Sequence, residues 1–278
     1  MNAIEHVLSD KDARYKLHRR FDRMGRLVGD AGMHKLFTSH VLVIGTGGVG
    51  SFAAEALARS GVGKLTLVDF DLVCVTNTNR QLHTLRGTVG EPKVDVMAQR
   101  LRQINPDMTV EAVRLFYNAP NSARILDCRP DWVIDAIDNV TAKCHLLATC
   151  RERGLPVVCC TGAASRMDPT TVRVADLAET TVDPLARAVR GILREKYGFP
   201  DGAAGPFGIP AVYSIEAPID PVELLYDHGE GFRCVCPQGK NGLHECEERN
   251  QINGTSAFVV GAFGLAAASY VTRELTRA

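Results

Sequence analysis

Four closely spaced glycines carry the clearest chemical signal in this sequence. They are Gly45, Gly47, Gly48 and Gly50, and they lie between an apolar run at 41–44 and an alanine-rich segment at 51–60. Glycines at this spacing allow a tight turn and close approach of the backbone to phosphate, and a helix that follows them supplies free N–H groups. Asp69 ends the next apolar run, where a carboxylate is placed to bond ribose hydroxyls. This pattern predicts a nucleotide site but does not by itself separate ATP from NAD.

Polar and charged residues in the next seventy or so positions favour ATP. ATP carries about two more negative charges than NAD, and attack at its α-phosphate needs cationic groups and Mg²⁺ held by a carboxylate. The candidates are Asn77, Arg80, Gln81, Lys93, Asp135 and Asp138. Singly, each has an ordinary explanation: Arg80 as a loop charge, Lys93 as a helix N-terminal charge, Asp138 as a helix cap. Jointly they follow strand ends, where doubly wound sheets bind ligands, and this placement predicts adenylation chemistry.

The elements that position these residues alternate along the chain. Short apolar runs typical of buried parallel strands occur at 41–44, 65–68, 109–113, 132–135 and 156–160. Helical patterns occur at 10–37, 51–60, 93–104 and 142–153. This alternation predicts an α/β fold with a doubly wound, mainly parallel sheet. Beyond residue 162 the pattern predicts two added strands at one sheet edge, 171–174 and 211–215, with a helix at 184–197 between them.

The apolar stretch at 256–271 is the strongest candidate for membrane contact. It is short for a membrane span and rich in alanine and glycine, so it predicts a closely packed buried or subunit-contact helix and no integral membrane span. The sequence leaves peripheral membrane attachment open. The simplest organisation is a single domain over 1–278, with a nucleotide-binding part at about 38–162 and a substrate and dimer part at about 163–278.

Charge balance and cysteine content restrict the partners and the compartment. The chain has 32 Lys plus Arg and 32 Asp plus Glu, giving a net charge of zero. A protein that coats nucleic acid non-specifically is basic overall, so any nucleic-acid contact must be a local patch. The nine cysteines form no regular extracellular framework, and the charged N-terminus lacks the apolar core of a signal peptide. We therefore expect reduced thiols and a cytoplasmic location.

Five motifs occur in the order typical of one superfamily. They are Gly45-x-Gly-Gly-x-Gly50, Val68-Asp-Phe-Asp71, Asn77-x-x-Arg80-Gln81, Gly90-x-Pro-Lys93 and Asp135-x-x-Asp138-Asn139. Together they resemble the ubiquitin-activating-type (ThiF/MoeB-like) adenylating superfamily, which includes the molybdopterin- and thiamine-synthesis adenylyltransferases. The resemblance implies a Rossmann-like fold, ATP and Mg²⁺ as cofactors, and attack of a substrate carboxylate on the α-phosphate to give an acyl-adenylate and pyrophosphate.

The same resemblance implies roles for individual residues. Asp69 binds ribose, Asp138 holds Mg²⁺, and the phosphates are held by Asn77, Arg80 and Lys93. Asp71 and Gln81 belong to the nucleotide-binding set with the four glycines. Arg20-Phe-Asp-Arg23 resembles an N-terminal motif whose second arginine reaches the ATP site of a partner subunit, which implies a homodimer. The implied catalytic set is therefore Arg23, Arg80, Lys93 and Asp138.

Further segments narrow the resemblance to one subfamily. Those at 73–81, 102–106, 168–170, 176–178, 183–186 and 213–216 resemble the tRNA threonylcarbamoyladenosine dehydratases. This implies a tRNA substrate, in which ATP activates the threonyl carboxylate of a modified adenosine beside the anticodon and the carbamoyl nitrogen then closes a ring. The alternatives are an adenylyltransferase for the C-terminus of a ubiquitin-like sulfur carrier, a NAD-dependent oxidoreductase, and a non-catalytic nucleotide-sensing scaffold.

Two local patterns leave alternatives open. Arg187, Arg190 and Arg194 share one face of the predicted helix at 184–197, and they fit either phosphate contacts with tRNA or an ordinary solvated face. A polar loop contains Cys234, Cys236, His244 and Cys246. This set fits a tetrahedral Zn²⁺ site, a reactive thiol that serves a sulfur-transfer partner of the cysteine desulfurase type, or unremarkable thiols.

Overall fold

The computed structural model describes residues 19–201, 204–222, 224, 235, 237 and 252–277. Its helices are α1 (Asp22–Thr38), α2 (Gly48–Ser60), α3 (Lys93–Ile104), α4 (Ala119–Leu126), α5 (Val140–Arg153), α6 (Pro184–Tyr197) and α7 (Ala257–Thr276). Its strands are β1 (His40–Ile44), β2 (Lys64–Val68), β3 (Thr109–Val113), β4 (Trp132–Asp135), β5 (Val157–Cys160), β6 (Val172–Asp176) and β7 (Pro210–Ser214). The strands predicted from the sequence are all present.

The strands form one seven-stranded sheet in the order β3-β2-β1-β4-β5-β7-β6. Every neighbouring pair is parallel except β6 and β7, which run antiparallel at one edge. The predicted doubly wound, mainly parallel sheet with strands added at one edge is therefore confirmed. Its strand order reverses between β1 and β4, and the carboxyl ends of strands at such a switch point form the usual ligand crevice of this architecture.

Alternate residues of the central strands enter two separate cores. Val41 and Val43 of β1 belong to the core that includes α1, α2, α3 and α7 residues. Leu42 and Ile44 belong to the core on the other face, which includes residues of α4, α5 and α6. Because successive strand residues point to opposite faces, a strand covered on both sides must be apolar throughout. This explains the continuous apolar run that precedes the glycines.

Helix α7 packs closely against α2. A Cβ on Gly264 would lie 2.4 Å from the carbonyl oxygen of Val49, and a Cβ on Gly261 would lie 3.2 Å from the ring of Phe52. The glycines therefore permit an approach that larger residues would prevent, and Phe263 beside them is fully buried. The prediction of a closely packed helix is confirmed. Within the ranges that the structure describes, no helix is long and apolar enough to cross a membrane.

Some elements differ from the sequence prediction. Helix α1 is kinked at Gly29, whose φ is +70°, and residues 10–18 of the predicted helix lie outside the described ranges. Helix α2 begins at Gly48, three residues before the predicted start at 51, because the glycine loop leads directly into its first turn. Helix α4 was not predicted, since its eight residues bury only Ser122, Ile125 and Leu126 and give no long apolar period.

Candidate active site

The carboxyl ends of β1, β2 and β4 open into a cavity of about 760 Å³. This volume lies in the range of small-molecule sites. Its lining includes ten predicted site residues: Gly45, Gly47, Gly48, Asp69, Asp71, Asn77, Arg80, Gln81, Lys93 and Asp138. Gly50 lies beneath the glycine loop and does not line the cavity. The fold thus brings together residues that are separated by more than ninety positions in the sequence.

The turn between β1 and α2 requires glycine at both ends. Gly45 has a φ of +89°, and a Cβ there would lie 2.6 Å from the carbonyl oxygen of Ala136. A Cβ on Gly50 would lie only 1.8 Å from the carbonyl oxygen of Gly45. Helix α2 begins after Gly47 with no side-chain hydrogen bond capping it. Its first N–H groups are therefore available to an anionic ligand, and the helix dipole favours negative charge at this position.

Asp69 ties the glycine loop to the loop that follows β2. Its Oδ2 accepts hydrogen bonds from the backbone N–H of Thr46 at 2.7 Å and from the Thr46 hydroxyl at 3.1 Å. Its Oδ1 accepts one from the backbone N–H of Asp71 at 2.9 Å. The residue is 9% exposed. Since Oδ1 accepts a single hydrogen bond from the described residues, it retains capacity to accept one from a ligand hydroxyl.

Lys93 is a buried cation at the start of α3. Its Nζ lies 2.7 Å from Asp71 Oδ2, and the residue is 6% exposed. Burial alone would lower the pKa of Lys93, but the carboxylates of Asp69, Asp71 and Asp138 outweigh it, and the net effect raises the pKa. The ammonium is therefore charged at neutral pH. Lys93 is therefore not an ordinary exposed charge at a helix N-terminus, which was the alternative explanation from the sequence.

Arg80 and Asn77 are held by their own loop. Arg80 Nη1 donates to the Thr76 carbonyl oxygen and to Asn79 Oδ1, each at 2.9 Å. Asn77 Oδ1 accepts from the backbone N–H of Cys74 at 3.3 Å. The Asn79 amide in turn donates to the carbonyl oxygen of Thr255 at 2.9 Å. The loop after β2 is therefore joined to the segment that precedes α7, and both segments form part of the cavity wall.

The two aspartates after β4 have different environments. Asp138 is exposed and lines the cavity, whereas Asp135 is fully buried and does not. Asp135 Oδ2 lies 2.5 Å from Nζ of Lys143, a residue that the sequence did not single out. The expectation that Asp135 contacts the phosphates or the metal directly is therefore wrong, because its carboxylate forms a buried ion pair with Lys143. Asn139 caps α5, accepting from Ala142 N at 3.0 Å, so Asp138 is not the helix cap either.

Other predicted residues lie away from the cavity or outside the described ranges. Arg23 is exposed near the start of α1 and is not among the residues that line the cavity. On α6, the Arg190 guanidinium donates to the Thr180 hydroxyl and the Arg194 guanidinium to the Pro200 carbonyl, while Arg187 is exposed. Two of these three arginines thus have partners inside the protein. The zinc or thiol candidates Cys234, Cys236, His244 and Cys246 lie outside the described residues.

Similarity to known proteins adds to this geometry. The model of the ThiF family matches residues 21–278. The chain belongs to this family. It is 40% identical over 257 residues to the tRNA threonylcarbamoyladenosine dehydratase of Escherichia coli, covering 92% of this chain and 93% of that protein. It is 46% identical over 203 residues to the Bacillus subtilis protein of the same name, covering 73% of this chain and 77% of that protein.

Solved structures extend the similarity to three dimensions. Crystal structures of the Escherichia coli dehydratase in complex with ATP and with AMP match with TM-scores of 0.78 and 0.79, at 39% identity over 92% of this chain and 93% of that chain. The molybdopterin-synthase adenylyltransferase of Escherichia coli is 39% identical over 137 residues, which is 49% of this chain and 54% of that protein. The match to the dehydratases therefore extends well beyond the match to the adenylyltransferase.

Proposed function

We propose that this chain uses ATP to dehydrate and cyclise threonylcarbamoyladenosine next to the tRNA anticodon, through an acyl-adenylate. The observation that most supports this proposal is the cavity at the switch point between β1 and β4. An uncapped helix N-terminus, a buried lysine and an accessible aspartate line this cavity. This set suits a polyphosphate nucleotide. The substrate assignment is supported by the similarity to the dehydratases, which covers both the nucleotide-binding part and the C-terminal part of the chain.

The cavity has suitable surroundings for each part of ATP. We assign phosphate binding to the glycine loop and the first turn of α2, supported by the uncapped helix N-terminus, and a ribose hydroxyl to Asp69 Oδ1. Farther along the wall, the rings of Phe70 and Phe116 meet edge to face with centroids 4.9 Å apart. These rings give the cavity an apolar section that fits a purine base. Gln81 and Asn77 complete the proposed nucleotide contacts.

The cationic residues suit attack at the α-phosphate. The threonyl carboxylate attacks the α-phosphorus, the bond to the β-phosphate oxygen breaks, and pyrophosphate leaves. Lys93 and Arg80 stabilise the negative charge that develops on the phosphate oxygens, which requires Lys93 to exchange its Asp71 partner for phosphate. The carbamoyl nitrogen then attacks the activated carbonyl carbon and loses its proton, and AMP leaves. The substrate has then lost the elements of one water molecule.

Asp138 is suited to hold Mg²⁺. Its carboxylate is a hard oxygen ligand, exposed in the cavity that Lys93 and Arg80 also line. Among the residues that the structure describes, no three His, Cys, Asp or Glu side chains are grouped for metal binding. Mg²⁺ usually takes one or two carboxylates together with phosphate oxygens and water, so a single protein ligand fits it. Bound there, the ion would neutralise charge on the leaving pyrophosphate.

The proposal includes a homodimer in the cytoplasm. Arg23 is exposed and is not among the residues that line the cavity of its own chain, as expected of an arginine that serves a partner's site. Cys128, Cys144, Cys150, Cys159 and Cys160 are free thiols, which suits a reducing compartment. A bound Zn²⁺ and a sulfur-transfer partner of the cysteine desulfurase type stay predictions. The loop that contains the candidate ligands and thiols for both lies outside the described ranges. The division at about residue 162 likewise stays a prediction.

Pyrophosphate release with matched substrates tests the function. The protein is incubated with Mg²⁺ and ATP, together with tRNA that carries the threonylcarbamoyl group, the same tRNA without that group, or a sulfur-carrier protein ending in Gly-Gly. We expect pyrophosphate, AMP and the cyclic nucleoside with the modified tRNA only. Stimulation by the carrier alone would replace the substrate assignment. Binding of NAD without ATP would overturn adenylation, and ATP binding without pyrophosphate in any mixture would indicate a nucleotide-sensing scaffold.

A further inference from the structure

Lys143 of α5 is fully buried and has three partners beneath the cavity. Its Nζ donates to Asp135 Oδ2 at 2.5 Å and to the Cys160 carbonyl oxygen at 2.9 Å, and it lies 3.8 Å from Cys159 Sγ. Both charged residues have an exposed fraction of 0%. A lysine is rarely buried in this way without a partner, and the desolvation of such a pair largely offsets its attraction. Stability alone is therefore a weak reason for an ion pair at this position.

The partners of Lys143 end two adjacent strands. On the β4 side, Asp135 Oδ1 accepts from the backbone N–H of Ile137 at 3.1 Å, which shapes the turn that presents Asp138. That turn also contacts the glycine loop, since the Ala136 carbonyl oxygen limits Gly45 to a residue without a Cβ. Through this turn, Asp135 therefore sets the position of Asp138, the proposed Mg²⁺ ligand, and of Gly45, the first glycine of the proposed phosphate site.

On the β5 side, Lys143 holds the carbonyl group of Cys160, the last residue of the strand. The next residues, Thr161 and Gly162, line the cavity. Asp183 also holds these two residues, accepting hydrogen bonds from the Thr161 hydroxyl at 2.9 Å and from the Gly162 N–H at 3.0 Å. One ammonium group thus joins the loop that carries Asp138 to the loop that follows the adjacent strand β5, and both loops line the cavity.

We propose that the buried Lys143–Asp135 pair is a positioning unit for ATP, which fixes the spacing of the 136–139 and 161–164 loops. The proposal rests on the proposed function in that the ligand is ATP. Neither side chain touches the ligand; both act through the residues that follow β4 and β5. An apolar pair of similar volume would fill the same space, but it would supply neither the acceptor for Ile137 nor the donor to Cys160.

The ionic character of the pair follows from its surroundings. Burial would lower the pKa of Lys143, but the Asp135 carboxylate outweighs this effect and the net pKa is raised. The Cys159 and Cys160 thiols that face the ammonium have pKa values raised by burial, so they are neutral at pH 7. Burial also raises the pKa of Asp135 above its ordinary value, and the Lys143 ammonium 2.5 Å away opposes this effect, so Asp135 is the counter-ion of Lys143.

A set of variants separates positioning from stability. In the full-length chain, Lys143→Met leaves a carboxylate buried without its counter-ion, and we expect a lower thermal midpoint and weaker ATP binding. The double variant Asp135→Leu/Lys143→Met removes both charges, and we expect it to recover most of the midpoint while its ATP dissociation constant remains at least tenfold above that of the unchanged chain. The ATP dissociation constants are measured by calorimetric titration with Mg-ATP, at a temperature well below the thermal midpoint of every variant.

Leu36→Ala is the matched control. Leu36 is fully buried at the amino ends of β1 and β2, opposite the cavity, so its truncation lowers the midpoint without changing ATP affinity. If the double variant regains both stability and affinity, the pair has only a structural role and the proposal is wrong. If the double variant does not fold, Lys143→Met, which has lost the donor to the Cys160 carbonyl oxygen, is titrated below its own thermal midpoint instead. Unchanged ATP affinity in Lys143→Met would equally overturn the proposal.

Assays of the wild-type protein distinguish the positioning proposal from the proposed function. If the wild-type protein binds no ATP, both the positioning proposal and the proposed function fail. If it binds ATP and releases pyrophosphate, and the pair variants bind ATP with unchanged affinity, only the positioning role fails. If ATP affinity falls in the variants while pyrophosphate release depends on a substrate other than modified tRNA, the positioning role stands and the substrate assignment fails.

Discussion

Substitution of Gly50 by alanine tests whether the glycine loop is the phosphate site. The added Cβ would lie 1.8 Å from the Gly45 carbonyl oxygen, whereas real Cβ contacts are almost never shorter than 3.0 Å. The carbonyl or the helix must therefore move by roughly 1.2 Å or more, the difference between those two distances. Because Gly45 leads into the N–H groups at the start of α2, this movement displaces the proposed phosphate donors.

The expected size of the effect follows from two opposing contributions. Overpacking of a tight site costs about 1–3 kcal/mol, and alanine in place of glycine in a helix returns about 1 kcal/mol. The net loss is therefore at most about 2 kcal/mol, which corresponds to a fall in thermal midpoint of up to about 8 °C for a chain of this size. Loss of even one hydrogen bond to a charged phosphate, worth about 1.5–3 kcal/mol, weakens ATP binding by at least about tenfold.

Gly191→Ala provides the control for this experiment. Gly191 lies inside α6, and a Cβ there would have nothing within 4 Å. The helix should therefore gain about 1 kcal/mol, and ATP affinity should not change. Thermal melts and ATP titrations of the two variants are compared at a temperature where both are folded. If Gly50→Ala binds ATP as well as Gly191→Ala does, the loop is not the phosphate site.

Three further predictions concern charged groups. Arg80→Ala, Lys93→Ala and Asp138→Ala should each slow pyrophosphate release by about 100- to 1000-fold with far-ultraviolet circular dichroism unchanged; a smaller loss would remove that residue from the proposed catalytic set. Mixed Arg23→Ala and Lys93→Ala subunits should regain activity that neither has alone, and absence of rescue would argue against a contribution of Arg23 across a dimer. Burial, with a smaller effect of the Lys93 ammonium, lowers the pKa of His83 from 6.5 to about 4. The unfolded chain therefore binds the proton more readily, and about 3 kcal/mol of stability should be lost as the pH falls from 6.5 to 4. His83→Leu should flatten this part of the melting profile, and an equally steep profile would contradict the assignment.

The sequence predicted the sheet because its strands have unambiguous patterns. β1, β2, β4 and β5 are covered on both faces, so they appear as short apolar runs separated by glycine, proline and polar segments. Helix α7 was predicted as a buried helix from its length and its small residues. Helix α4 escaped prediction because a short helix with few buried residues has no extended period. The glycine loop was recognisable because its geometry permits few other residues at Gly45 and Gly50.

The sequence was less informative about the surroundings of the charged residues. Asp135 and Asp138 are three positions apart and chemically identical, yet one is buried against Lys143 and the other faces the cavity. The last residue of a strand still belongs to the sheet interior, whereas the turn after it reaches the edge. A lysine among the apolar residues of α5 was the available signal for the ion pair. His83, fully buried and without a hydrogen-bond partner for either ring nitrogen among the described residues, had no such signal.

The close contact between α7 and α2 also bears on how the site comes into being during synthesis. The strand, glycine loop and α2 leave the ribosome about two hundred residues before α7, the helix that covers α2. Until then, Val49 and Phe52 lack the neighbours that Gly261 and Gly264 bring to them. A nascent chain that lacks residues 257–276 therefore carries the proposed phosphate-binding segment without its support. Competence to bind ATP should arise only once this helix has been translated, so shorter nascent chains would not compete for the nucleotide.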